Sequence, residues 1–271
     1  MVWLLELTWV LIFLSILLFF YHFLHMKHVL KIWAQSTMIG AAVLQTIVII
    51  VSFLQEGSLP LFNRIDLMLT YSYLLILVAI GVHYWIKVDM AVAFLLSLSL
   101  LMFWIYFLGS SFSFAYENQY NYLVKQMFVH IFFSIISYCL YAVSFVFSII
   151  YIVQAKWLKE KKITKLFSRF QSLESIENYA YLFLLLGLPF LFLSIMIGIV
   201  FMYLHFGTIQ WFDLKIVGSF TVLVLYSMYL LFRYRNIMGV KQLCYWNIGC
   251  FLIVLLNLFL FSSLSNFHLW Y

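Results

Sequence analysis

Charge is the scarcest thing in this chain. Only 9% of its 271 residues are Asp, Glu, Lys or Arg, against about 25% in soluble globular domains, so water is excluded as the main solvent. Proline occurs twice, at Pro60 and Pro189, and glycine ten times, leaving few of the residues that interrupt helices. The three cysteines, Cys139, Cys244 and Cys250, form no Cys-x-x-Cys pair. That excludes a redox dithiol and covalent cofactor attachment through Cys-x-x-Cys-His. No alternation of apolar and polar residues over ten-residue segments appears, which excludes an outer-membrane type of barrel. A phosphate-cradling glycine loop, a helical His-Glu-x-x-His and a nucleophile–base–acid arrangement are also missing. The expectation is a protein that is not an enzyme. The N-terminus lacks a basic n-region and a small-residue cleavage site, so the first apolar run is expected to be a retained span.

Long apolar runs fill the space that charge leaves. Hydrophobic residues make up 67% of the chain, in runs long enough to cross a hydrocarbon core of about 30 Å. The pattern predicts an all-α, polytopic membrane helix bundle. Eight spans are expected at about 3–25, 34–54, 66–86, 90–108, 127–154, 179–205, 214–233 and 244–265, forming one integral membrane domain over 1–271. Spans three and four are separated only by Lys87-Val88-Asp89. Ser172-Leu173-Glu174-Ser175 looks like the capped start of a helix leading into span six.

Lys and Arg orient the bundle. Connections after odd-numbered spans hold Lys27, Lys31, Lys87, Lys156, Lys159, Lys161, Lys162, Lys165, Arg169, Arg233, Arg235 and Lys241; those after even-numbered spans hold Arg64, Lys125 and Lys215. This asymmetry places both termini outside and the basic loop 155–178 in the cytoplasm, with the whole in a plasma membrane. Within that loop Trp157, Leu158, Ile163, Leu166, Phe167 and Phe170 alternate with the charges. Such a mixture fits a helix lying on anionic lipid, or a docking site for a cytosolic partner. Nothing in the formal charge of +6 points to nucleic acid, because the basic residues sit in particular connections.

The same orientation gathers His130, at the start of span five, His268, beyond span eight, and the connection Trp211-Phe212-Asp213-Leu214-Lys215 at one outer mouth. Two histidines facing across a plane are the ligand set for a bis-imidazole haem iron. Each is equally readable as an interfacial histidine bonded to a nearby carbonyl. Asp213 is placed to cap span seven. Trp211 and Phe212 are either interfacial anchors or an aromatic shelf for a porphyrin. Arg64, Lys125 and Lys215 are the outer cations available to propionates. On the inner side, His22 and His83 form a possible second site, while His22, His25 and His28 without companion Cys or carboxylate make a poor zinc signature.

From Ser172 onward the chain resembles the cytochrome c assembly protein family of membrane haem-handling proteins, and more weakly it does so across all eight spans. Ser172-Leu173-Glu174, Gly187-Leu188-Pro189 and Gly198 follow its pattern, as do Tyr226-Ser227-Met228-Tyr229-Leu230 and Phe261 to Tyr271. Val129-His130 through Ser137-Tyr138 matches the family's first external histidine, and His268 its second. The family's tryptophan-rich loop ends in Trp-Asp-Pro-Lys-Glu; here Asp213 and Lys215 remain, the Pro and Glu are lost, and Phe201, Phe206, Gln210 and Phe212 stand at tryptophan positions. The resemblance implies non-covalent, b-type haem held between the external histidines, with the aromatic loop as platform. It further implies a branch linked to control of haem synthesis through the level of glutamyl-tRNA reductase. Haem delivery or export in cytochrome c assembly, and a membrane regulatory scaffold without haem, remain as alternatives.

Overall fold

The computed structural model describes residues 2–56, 59–61, 64–112, 127–161, 171–209 and 211–261. Eight helices carry the chain: α1 (Val2–His25), α2 (His28–Glu56), α3 (Arg64–Gly81), α4 (Asp89–Phe112), α5 (Phe128–Lys159), α6 (Leu173–Phe206), α7 (Leu214–Tyr234) and α8 (Val240–Leu256). All eight are long and apolar enough to cross a membrane, α3 and α8 through the π-helical turns Val82–Ile86 and Asn257–Phe261 that extend them. No strand occurs among the described residues. Large apolar side chains such as Leu17, Leu54, Phe192 and Leu204 are exposed, as expected of surfaces solvated by lipid rather than water.

The eight expected spans are all present. Two begin six residues earlier than hydropathy predicts. α2 starts at His28 instead of residue 34, directly after a corner at Met26, whose φ is 55°. α6 starts at Leu173 instead of residue 179, where the Ser172 side chain accepts from Ser175 N–H at 3.2 Å as the expected cap. Helix starts are set by backbone hydrogen bonds and caps, and charged residues in the first turns do not prevent them. At 1.5 Å per residue, the 32 residues of α5 extend about 48 Å.

The chain divides into two compact units, one of Met1–Asn121 with Ile163–Gln171, the other of Tyr122–Lys162 with Ser172–Tyr271. In the first, α1 packs on α2 and α4, and α3 packs on α2 and α4. Its core contains a polar knot in which Gln45 Nε2 donates to Ser72 Oγ at 3.1 Å and Ser99 Oγ donates to the Ser72 carbonyl at 2.9 Å. With no water in the hydrocarbon, such groups must satisfy one another.

In the second unit α5 lies along α6, α8 packs on α5 and α7, and α7 packs on α6. Tyr141 and Tyr226 stack at its centre with ring centroids 3.9 Å apart. Asn247 Nδ2 donates to Ser144 and Ser148 at 2.7 and 2.8 Å. α6 ends on Gly207, whose φ of 68° and N–H bond to the Tyr203 carbonyl, at 2.9 Å, are the left-handed stop that glycine alone adopts without strain. α5 and α6 run antiparallel, His130 meeting Ser194 and Ser144 meeting Ala180, and short connections reverse the chain again into α7 and α8. The start of α5, the end of α6 and the start of α7 therefore meet, around Met127, Phe201 and Met202 with Ile131, Ile209 and Ile216 packed on them.

Candidate functional site

His130 stands in the first turn of α5 at that meeting point. Its Nδ1 lies 2.7 Å from the Ser194 carbonyl. A carbonyl only accepts, so Nδ1 carries the hydrogen and Nε2 is left as the lone-pair nitrogen. Ser194 Oγ sits 3.1 Å from the same Nδ1 and donates to the His130 carbonyl at 3.0 Å, and Ser134 Oγ lies 2.5 Å from Ser194 Oγ. Gly198 supplies the room: a Cβ there would lie 2.8 Å from Nδ1 and 2.9 Å from Cε1 of the ring. Four residues on two helices thus fix the tautomer and the ring plane, while Nε2 has no partner among the described residues.

The connection between α6 and α7 carries the other expected residues. Asp213 is the N-cap of α7, accepting from Lys215 N–H through Oδ1 at 2.9 Å, and is 9% exposed. Its capping role is that read from the sequence. Trp211 is 54% and Phe212 96% exposed, so both present aromatic surface outward. Lys215 Nζ donates to the Asn257 carbonyl at 2.9 Å, tying α7 to the π turn after α8. Asn257 Nδ2 in turn donates to Tyr138 OH at 3.1 Å and Ser219 Oγ at 3.2 Å. His205 Nδ1 bonds the Phe201 carbonyl at 3.0 Å. The structure therefore gathers His130, Lys215 and the Asp213 cap in one unit. Arg64 opens α3 and belongs to the other unit. His268 lies outside the described residues.

The possible inner pair also comes together, but around a residue that hydropathy reading treats only as a span boundary. Asp89 Oδ2 lies 3.4 Å from His22 Nε2 and from Lys31 Nζ, and its Oδ1 lies 3.3 Å from His83 Nδ1. The second nitrogen of His22 faces the Lys27 carbonyl at 3.1 Å, and that of His83 meets the Gln35 amide. Every ring nitrogen of this pair is thus directed at a protein group. No group of three or more His, Cys, Asp or Glu placed to hold a metal occurs among the described residues.

Sequence reasoning found His130 without Ser194 and Ser134, which hold it. The available signal was the four-residue step from His130 to Ser134 on one face of α5 and a small residue, Gly198, facing it.

Eight apolar helices with a histidine held near the rim define a multi-pass membrane protein. The model of the family described as Cytochrome C assembly protein matches residues 61–269, and the chain belongs to that family. It is 34% identical over 228 residues to Protein HemX of Bacillus subtilis (strain 168), covering 83% of this chain and 82% of that one. It is 29% identical over 272 residues to Protein HemX of Brevibacillus brevis, covering 99% and 98%. No solved structure matches. These relatives place the chain in a bacterial membrane.

Proposed function

We propose that the protein binds haem non-covalently, as a b-type group, with His130 and His268 as axial ligands on the outer face. The observation that carries this is the His130 ring itself. Iron needs a neutral imidazole with one free nitrogen, and metal-ligating histidines usually donate their other N–H to a carbonyl or carboxylate, which fixes the tautomer. His130 has that arrangement: Nδ1–H on the Ser194 carbonyl, and Nε2 unengaged among the described residues. Trp211 and Phe212 offer apolar surface for the macrocycle, and Lys215 a cation for a propionate. Bound haem would supply the iron; the chain's part is to orient the ring, keep Nε2 unprotonated and cover the macrocycle.

The proposed role is feedback on haem synthesis, lowering the level of glutamyl-tRNA reductase. The basic segment from Lys156 is the surface for a cytosolic partner. A delivery role would call for a second ligand pair, and His22 with His83 is the pair the sequence offers. Their nitrogens are directed at Lys27, Gln35 and Asp89, which favours retention over passage. The test is the visible spectrum of the detergent-purified protein. A Soret band that disappears in both His130→Ala and His268→Ala supports the ligand pair. Its persistence in both variants would falsify the assignment. Reductase level and cytochrome c content in a deletion strain then separate regulation from assembly.

A further inference from the structure

The end of the first unit where α1 turns into α2 and α3 into α4 has the marks of a second site. A cavity of about 380 Å³ opens there, lined by His22, His28, Lys31, Lys87 and Asp89, with Phe23, Met26, Val88 and Met90 as its apolar walls. Both corners beside it pass through left-handed, non-glycine residues, Met26 at φ 55° and Lys87 at φ 61°. Such backbone occurs at helix stops and also concentrates at ligand clamps. His83, packed against Asp89, sits in the π-helical turn Val82–Ile86, a feature likewise concentrated at functional sites. His83 Nδ1 and Asp89 Oδ1 face one another at 3.3 Å without hydrogen-bond geometry, so two buried polar atoms remain unsatisfied.

The charge of the lining decides what fits. Asp89 is its one acid, and Lys31 already pairs with it. Lys87 and His28 have no ion-pair partner among the described residues, so the lining is net positive before either lining histidine takes a proton. α2 and α4 both begin among these residues, and helix starts favour anions through their free N–H groups and dipoles. The cavity lies at the ends of spanning helices, the depth at which lipid phosphates lie, and its apolar walls suit the glycerol and upper acyl carbons beside such a phosphate.

We propose that this cavity binds a phosphate-bearing anion, the headgroup of an anionic phospholipid, held by Lys87 with Lys31 and His28. Asp89 keeps Lys31 and the two buried histidines in place beneath it. The anion meets the cationic lining, and the lipid chains leave along the apolar wall.

The test is native mass spectrometry of the intact protein released from detergent with phosphatidylglycerol or phosphatidylcholine added. One phosphatidylglycerol retained in preference to phosphatidylcholine is expected. Lys87→Gln, a change at an exposed side chain, should lower that retention about tenfold, the scale of one charge-assisted contact. Asp89→Asn removes the only acid of the lining and should retain the lipid at least as well. Equal retention of the two lipids by the unaltered protein, or unchanged retention in Lys87→Gln, overturns the proposal; so does loss of the lipid in an Asp89→Asn protein that melts normally. Inorganic phosphate distinguishes the sources of the same chemistry. If millimolar phosphate strips the lipid, free phosphate competes for the site, and if the lipid stays, the headgroup is the ligand; the anion site stands in either case.

Discussion

At Gly198 a hydrogen stands where any other residue would place a carbon 2.8 Å from the His130 ring. The crowded atoms belong to a planar ring already fixed by the Ser194 carbonyl, so they have little freedom to move aside. Alanine elsewhere in a helix gains up to about 1 kcal/mol over glycine. Here overpacking of about 1–3 kcal/mol opposes that gain and exceeds it. Gly198→Ala is therefore expected to lower the melting temperature in detergent and to weaken the Soret band together. Ser194→Ala should leave the Soret band nearly intact. It removes a hydroxyl worth about 1 kcal/mol but keeps the main-chain carbonyl that takes the His130 hydrogen. Equal loss of haem in the two variants would mean that the hydroxyl, and not the ring's position, governs binding. Charge reversal in Lys215→Glu tests the propionate contact, with faster loss of haem to a competing apo-protein as the expected result. Since the same ammonium bonds the Asn257 carbonyl, Lys215→Gln serves as the comparison that removes the tie without adding negative charge.

At the scale of helices, the close approach of α5 and α6 depends on a second glycine. A Cβ at Gly187 would lie 2.7 Å from Cε1 of Tyr141, whose ring is fully buried and stacked on Tyr226. Without a hydrophobic driving force between helices in lipid, small residues at crossings carry much of the association. Gly187→Ala should therefore cost about 1–3 kcal/mol by overpacking. Gly249→Ala in α8, where an added Cβ meets nothing within 4 Å, should be neutral or mildly stabilising. Thermal melts of the two variants in one detergent decide this, and similar losses would show that the α5–α6 contact is not the tight one. Helices themselves were legible in the sequence because hydropathy over about 20 residues reports them directly, and the caps Ser172 and Asp213 were legible because their chemistry is local. The π turns at Val82–Ile86 and Asn257–Phe261 were not, since one extra residue in a turn leaves no mark on composition. The Asp89 cluster was equally hidden. Its members come from α1, α2, the π turn and α4, and only packing brings them to one carboxylate.

For the whole molecule, sidedness ties the proposed haem site to the proposed partner surface. Twelve of fifteen Lys and Arg residues fall in alternate connections, and this bias is the physical basis for placing both termini outside. On that placement, eight spans with alternating connections would put the α6–α7 connection outside and the α7–α8 connection inside. All three native cysteines are buried, so an impermeant thiol reagent should meet little background. Thr208→Cys, beside the exposed end of α6, should label in intact cells. Asn236→Cys, in the α7–α8 connection, should label only after permeabilisation. The reverse pattern would move His130 to the cytoplasmic side, where an external haem pool could not reach it and where the basic segment from Lys156 would face away from any cytosolic enzyme. If the expected pattern holds, replacing Lys159, Lys161, Lys162 and Lys165 with Gln should raise glutamyl-tRNA reductase in immunoblots and leave the Soret band of the purified protein unchanged. Loss of both, or of neither, would break the link between the inner segment and control, because Lys159 ends α5 and His130 lies in its first turn.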